Sequence, residues 1–311
     1  MNRRRFVTTF ALGAIGLALN KSISYSHVSE PPQVAITIDD FNWFDIPQMS
    51  AEARNRSLLD SLNSHSVKAA IFVCGKFVDN EKGQQLLSAW DKEGHLIGNH
   101  SYSHLSYPRA SFEQFSQDVL RGEAVINKQS QFSKFFRFPF LKEGETAEKR
   151  DRMREFLKAN GYRNGHVTID ASDWYVDDRL RAKLKKTPDG DMSPYRDYYL
   201  NHIWERSSYY DDLCRKVLGR SVKHTLLLHH NVLNGLFLGD LLSMFKKRGW
   251  RLISAGDAFT DPVFLKSPDT IPAGESLIWA LAKETGRFEK LLRYPGEDGK
   301  YEQDKMGKLN L

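Results

Sequence analysis

An α/β fold with a parallel sheet, a distorted (β/α)7–8 barrel in a single domain, is predicted by three features of this sequence. Short β-branched apolar runs alternate with helical stretches, about seven times in all. The 311 residues suit one such barrel once insertions are counted. Acids, histidines and an arginine recur just past the apolar runs, where parallel α/β folds place their active sites. A doubly wound open sheet is the alternative architecture.

The elements follow in order. Pro31-Pro32 punctuates the chain before a first strand at 34–38, Val-Ala-Ile-Thr-Ile. Residues 50–64 carry Leu58, Leu59 and Leu62 at helical spacing. Residues 67–73 read as a second strand, 84–93 as a helix broken at Gly94, and 95–98 as a short third strand. Residues 112–131 read as one long helix, and 135–138 as a strand that Pro139 ends. Residues 147–160 form a helix stopped by Gly161, a residue suited to the left-handed turn past a helix end. Residues 165–169 read as a strand, and so do 225–228.

The stretch 175–224 between them is long for a connection. Its aromatics, Tyr195, Tyr198, Tyr199, Trp204, Tyr209 and Tyr210, fall partly at helical spacing. That favours a helical excursion burying its own rings over a lid. Residues 233–248 form a helix stopped by Gly249, and 250–253 close the series. Past residue 262 the alternation stops. Residues 276–281 look helical and should pack on the barrel, and the polar 296–311 are expected to fray.

The N-terminus reads as an export signal. Arg3, Arg4 and Arg5 precede an apolar run from Phe6 to Leu19, too short for a comfortable membrane span. Arg-Arg-x-Phe resembles a twin-arginine signal, and an ordinary secretory signal or an anchor is the alternative. Small residues for cleavage occur at Gly16-Leu17-Ala18. The predicted organisation is a signal peptide and linker over 1–26, a catalytic domain over 32–262, and a helical extension and tail over 263–311. The mature chain would be periplasmic or secreted, with no stable membrane span. The formal charge of +6 falls to +3 without those three arginines, too little to argue for a nucleic-acid partner. Cys74 and Cys214 are the only cysteines, and no CxxC spacing supports a cysteine zinc site. Cys74 reads as a small core residue of the second strand.

The strand ends collect Asp39 and Asp40, His100 and His104, Arg137, Asp170 and Asp173, then His229 and His230. His100 and His104 stand at i and i+4, a spacing that lets two imidazoles share one ion. A carboxylate from Asp39-Asp40 would complete a two-histidine, one-carboxylate site with open positions. The other aspartate would remain free as a base. Imidazole ligands suit zinc, with cobalt or another divalent ion possible. From the residues alone the reading is metal-assisted hydrolysis.

Five segments together resemble the polysaccharide deacetylase family, also called the NodB homology domain or carbohydrate esterase family 4. They are Ile36-Thr37-Ile38-Asp39-Asp40, His100-Ser101-Tyr102-Ser103-His104, Arg137-Phe138-Pro139-Phe140, Asp170-Ala171-Ser172-Asp173-Trp174 and Leu227-Leu228-His229. They come in the family's order and span roughly residues 34–260. The resemblance implies Asp39 as general base and Asp40, His100 and His104 as metal ligands. It implies Arg137 as the partner of Asp39, and His229 as general acid paired with Asp173, Asp170 being the other candidate for that pairing. Trp174 and Leu227 would wall the pocket for the acetyl methyl, and the Phe140 N–H would help hold the oxyanion. Many relatives carry Tyr where this chain has Phe140. His229 fits the motif register and His230 is its neighbour.

The activity so implied is removal of N- or O-acetyl groups from an acetylated glycan. A small amide or imide hydrolase is one alternative. A non-catalytic carbohydrate-binding protein on the same fold is another, and it predicts lost ligands or a lost base.

Overall fold

In the computed structural model, which describes residues 30–294 and 296–311, the apolar run after Pro32 becomes β1 (Gln33–Asp39), buried at every residue past Gln33. Burial on both faces is what a near-continuous apolar strand requires, and it places β1 at the centre of a parallel sheet. α1 (Ala51–Ser64), β2 (Ala70–Val73), α2 (Glu81–Lys92), β3 (Leu96–Asn99), α3 (Phe112–Ile126) and β4 (Phe132–Phe136) continue the alternation. Then come β5 (Lys142–Gly144), α4 (Ala147–Ala159), β6 (Arg163–Asn164), α5 (Asp173–Lys186) and α6 (Ser193–Leu218). β7 (Lys223–His229), α7 (Val232–Lys247), β8 (Arg251–Leu252), α8 (Ala255–Ala258), β9 (Ala273–Gly274), α9 (Leu277–Glu284) and α10 (Lys300–Lys308) complete the chain.

The main sheet runs β6-β4-β3-β2-β1-β7, with β8 added to β1, and every pairing in it is parallel. Its two edges curl toward each other. Gly165 N–H donates to Phe136 O beside β4, and Ile169 N–H donates to Thr225 O beside β7. Residues 165–169, read above as one strand, therefore form no continuous ladder. Their ends bond to strands on opposite edges, so the segment spans the seam of a distorted barrel.

Capping fixes where the helices begin. Ser50 Oγ accepts from Ala53 N–H at α1, and Ser111 forms a reciprocal box with Gln114 at α3. Each such cap contributes about 1 kcal/mol. α3 ends at Ile126 rather than near 131, because the chain must turn to enter β4 at Phe132. Leu58, Leu59 and Leu62 of α1 and Leu238, Leu241, Leu242 and Phe245 of α7 lie in the main apolar core. α6 is the predicted helical excursion, with Tyr195, Tyr199 and Tyr210 buried.

The tail is ordered where fraying was expected. α10 buries Met306 and Glu302. Glu302 accepts from Tyr198 Oη at 2.7 Å and Arg293 Nη2 at 3.0 Å, and faces His202 Nδ1 at 3.3 Å. Glu297 sits 3.2 Å from Arg206 and 3.1 Å from Arg293. Charge pairing between α6 and residues 293–302 anchors this segment, and hydropathy periodicity does not register such pairing. Glu302→Ala should remove the acceptor that Tyr198, Arg293 and His202 share, leaving Arg293 only Glu297, and cost about 1–3 kcal/mol. A urea-unfolding midpoint unchanged from wild type would refute that anchoring role.

Cys74 and Cys214 are both buried and free. No helix among the described residues is long and apolar enough to cross a membrane. The expected signal segment, residues 1–26, lies outside the described residues.

Candidate active site

The strands deliver their side chains to one end of the barrel, around a cavity of roughly 520 Å3. Its walls include Asp39, Asp40, His100, His104, Phe140, Asp170, Trp174, Leu227 and His229. Nine of the eleven residues singled out from the motifs thus line one space. The other two stand directly behind it. Arg137 touches Asp39, and Asp173 touches His229.

Asp39 ends β1. Its Oδ1 accepts from Arg137 Nη1 at 2.9 Å. Arg137 is held from several sides: Nη1 also reaches Thr37 Oγ1, Nε donates to Gly165 O at 2.7 Å, and the guanidinium lies 4.0 Å over the Phe72 ring. Burial pushes the Asp39 carboxyl above the ordinary carboxylate range, and Arg137 acts against that shift. The result is a carboxylate with enhanced proton affinity, fixed in orientation by a charged fork.

Asp40 leaves the strand with φ 58°, a left-handed conformation costly for a non-glycine residue. Asp39 Oδ2 also lies 3.8 Å from His100 Nε2, so both carboxylates face that ring. Ser101 (φ 66°) and His104 (φ 57°) share the left-handed conformation at the second motif, so three strained residues cluster here. His104 Nε2 stands 3.4 Å from Asp40 Oδ1, and His100 Nε2 stands 3.7 Å from it. Two ligands of one tetrahedral ion lie about 3.3–3.4 Å apart, so these spacings suit a shared cation.

The tautomer of His100 points the same way. Its Nδ1 lies 2.8 Å from Arg137 O, and a carbonyl can only accept, so Nδ1 carries the proton. Nε2 then turns a lone pair toward the Asp40 carboxylate. Burial, followed by the nearby His104, lowers the His100 pKa to about 3, which keeps the ring neutral as ligation requires. A cation between them would reconcile two facing acceptors.

Cys74 joins this group. Its Sγ is 3.8 Å from Asp40 Oδ1, and the ligand atoms of Asp40, Cys74 and His100 lie within 4.8 Å of one another. The sequence reading assigned Cys74 to the core and overlooked its position immediately past β2, the same strand-end position that singled out the other residues.

Beside Asp39, in register with it on the neighbouring strand, His229 ends β7. Its Nδ1 donates to Asp173 Oδ1 at 2.7 Å, and its backbone N–H donates to Asp173 Oδ2 at 3.0 Å. Asp173, not Asp170, therefore makes the pairing. Asn231 Nδ2 and Asn234 Nδ2 also donate to Asp173 Oδ2, so this buried carboxylate is fully satisfied. Burial disfavours a charged imidazole here, but Asp173, with help from Asp40 and Asp39, outweighs it and raises the His229 pKa to about 10. The asparagines were missed in the sequence. Asn231 as cap of α7 was their only signal. His230 turns away: Arg54 Nε donates to its Nδ1, and its backbone N–H donates to Asp39 O.

Phe140 is 58% exposed with φ 59°, Trp174 is 40% exposed, and Leu227 is nearly buried at the cavity floor. Leu141, Lys142, Glu275, Glu297 and Asp298 complete the wall, and none was foreseen. A close approach explains how the chain past residue 272 reaches the site. β9 pairs antiparallel with β5, and a Cβ at Gly274 would stand 1.7 Å from Leu141 O, so only glycine fits.

Residues 27–165 match the polysaccharide deacetylase family. A peptidoglycan-N-acetylglucosamine deacetylase of Bacillus cereus is 27% identical over 143 residues, which is 46% of this chain and 46% of that protein. A peptidoglycan-N-acetylmuramic acid deacetylase of Bacillus subtilis is 36% identical over 62 residues, covering 20% of this chain and 23% of that one. The chain spans less than half the length of either relative. A CE4 family pseudoenzyme from Bacillus anthracis superposes with a TM-score of 0.52 at 16% identity, over 73% of this chain and 65% of that one. At that identity the likeness is one of fold.

Proposed function

We propose that this chain, a member of the polysaccharide deacetylase family, is a metal-dependent hydrolase that removes acetyl groups from an exported or cell-wall glycan. The observation that carries this reading is an acid–base pair, Asp39 and His229, on neighbouring strands beside a donor cluster suited to a divalent cation.

Asp40, His100 and His104 would hold the ion, with Cys74 beside them. Imidazole and carboxylate donors favour zinc, and cobalt is compatible. A divalent ion bound there supplies an acidified water and polarisation of the acetyl carbonyl. Asp39 then accepts the water's proton, held in place by Arg137 (Nη1–Oδ1 2.9 Å). His229, kept protonated by Asp173, donates a proton to the leaving nitrogen or oxygen. The Phe140 backbone N–H would support the developing oxyanion, and Trp174 and Leu227 would pack against the acetyl methyl. The same constellation weighs against a non-catalytic binder, which has no need of a buried base or of an imidazole with a raised pKa.

Acetate release from a panel of acetylated glycans tests the proposal, using protein stripped of metal and then reloaded. Stripped protein should release none, and one equivalent of zinc or cobalt should restore turnover. Full activity in the stripped protein, with metal absent by elemental analysis, would overturn the reading.

A further inference from the structure

Residues 170–174, which carry Asp170, Asp173 and Trp174, are held by the C-terminal stretch 297–302 at three points. The Glu297 N–H donates to the Asp170 carboxyl. His202 of α6 accepts the Ser172 N–H on Nε2 at 3.2 Å and turns Nδ1 to Glu302 Oε2 at 3.3 Å. An accepting Nε2 carries no proton, so Nδ1 carries it and donates to Glu302. Ser172 relies on that outside hold, because its own side chain makes no capping bond at the start of α5.

The third point is Trp174 itself. Gly299 is buried, and a Cβ there would stand 2.5 Å from Tyr175 Cδ2 and 3.0 Å from Trp174 Cη2. The two rings meet edge to face with centroids 5.9 Å apart, so they form one unit lying against bare backbone. Conformational freedom does not demand this glycine: its φ of −53° and ψ of −20° suit any residue. Space does. Trp174 borders the cavity and Gly299 does not, so the glycine seats the indole from outside the cavity.

The chain on either side of Gly299 is tied down. Arg206 and Arg293 face Glu297, and Tyr198 and Arg293 donate to Glu302. Volume added at 299 must therefore be taken up by the rings, since a close-packed contact transmits a displacement. We propose that Gly299 is a specificity-determining position: the room it leaves Trp174 sets the width of the pocket that receives the acyl methyl. This rests on the deacetylase reading above and adds to it a residue from the C-terminal segment.

One glycan prepared with N-formyl or with N-acetyl groups tests it, with formate and acetate release as the readouts. The formyl group lacks the methyl. The intrinsic reactivities of the two groups cancel when the acetyl-to-formyl ratio of kcat/KM is compared between variants. Gly299→Ala should fold, since its backbone suits alanine, and should lower that ratio at least about fivefold, as misfitting one methyl does. Zinc stoichiometry and the alkaline limb of the pH profile, set by Asp173 and His229, should not move. Gly307→Ala, on the same helix with open space for a Cβ, should keep the wild-type ratio. In Trp174→Phe, which removes the Cη2 end of the ring, adding Gly299→Ala should change the ratio far less. A merely structural effect lowers both rates alike. An unchanged ratio in Gly299→Ala, or an equal change in the Trp174→Phe background, would overturn the proposal. Release of neither acid with zinc bound would instead sink the deacetylase reading. The seat is then read from Trp174 fluorescence, taken as the difference between wild type and Trp174→Phe, and acrylamide quenching unaltered by Gly299→Ala would refute it.

Discussion

Asp39→Asn is expected to lower kcat for acetate release by about a hundred- to ten-thousand-fold, the usual contribution of a positioned general base. Zinc or cobalt binding should be unchanged. The substitution is nearly isosteric, and an asparagine oxygen can still accept from Arg137 Nη1, which lies 2.9 Å from Asp39 Oδ1. What disappears is the capacity to take a proton. Asp40→Asn should do the reverse first, losing bound metal, because His100 and His104 both face Asp40 Oδ1. Metal stoichiometry beside kcat therefore assigns the roles of two neighbouring aspartates. If Asp39→Asn loses the metal, or keeps kcat within a few-fold of wild type, the assignment is wrong. One side effect needs a control. The neutral amide leaves the buried Arg137 without its counter-charge, a change that can cost several kcal/mol of stability. Unfolding curves for the variant separate lost chemistry from lost fold.

The place of those aspartates at the site was legible in the sequence because the parallel barrel has a simple grammar. A β-branched run such as 34–38 can only be a buried strand, and its carboxyl end faces the site, so the first polar residues beyond it become candidates. The same logic located His100, Arg137 and His229. It worked because strand order and site position follow from backbone geometry, which periodicity reports directly.

Three things escaped it, each for a physical reason. Cys74 follows β2 directly, but an apolar-looking residue closing an apolar run carries no pattern of its own, and only the fold shows Sγ 3.8 Å from Asp40. Asn231 and Asn234 act through Asp173, a residue 58 and 61 positions away in sequence. The tail is the largest omission. Its polar residues look like a fraying end, yet Glu297 and Glu302 are buried against arginines and His202. Ion pairs between distant segments have no sequence period, so a segment they anchor resembles a loose one. The seam at 165–169 shows the converse error: β-branched composition was present, but the segment's ends belong to different strands.

The second large effect is expected at Asp173, and its form depends on pH. His229 must be protonated to act as an acid, and Asp39 must be ionised to act as a base. Activity should therefore fall on the acid side as Asp39 gains a proton, above the ordinary carboxylate range because of its burial, and on the alkaline side as His229 loses one, near pH 10. Asp173 is the first of the charges that hold His229 protonated against its burial. In Asp173→Asn that support is gone while the burial remains. The alkaline limb should then move from about 10 down to or below the ordinary imidazole value near 6.5. At pH 8 the loss should approach that of His229→Gln, about a hundredfold or more. Below pH 6 the two variants should part: Asp173→Asn recovers much of its rate because its imidazole is protonated again, whereas His229→Gln stays inactive at every pH. A purely structural role for Asp173 predicts a uniform loss with an unmoved alkaline limb. The limb position thus distinguishes a residue that sets the charge of His229 from one that merely holds α5 against β7.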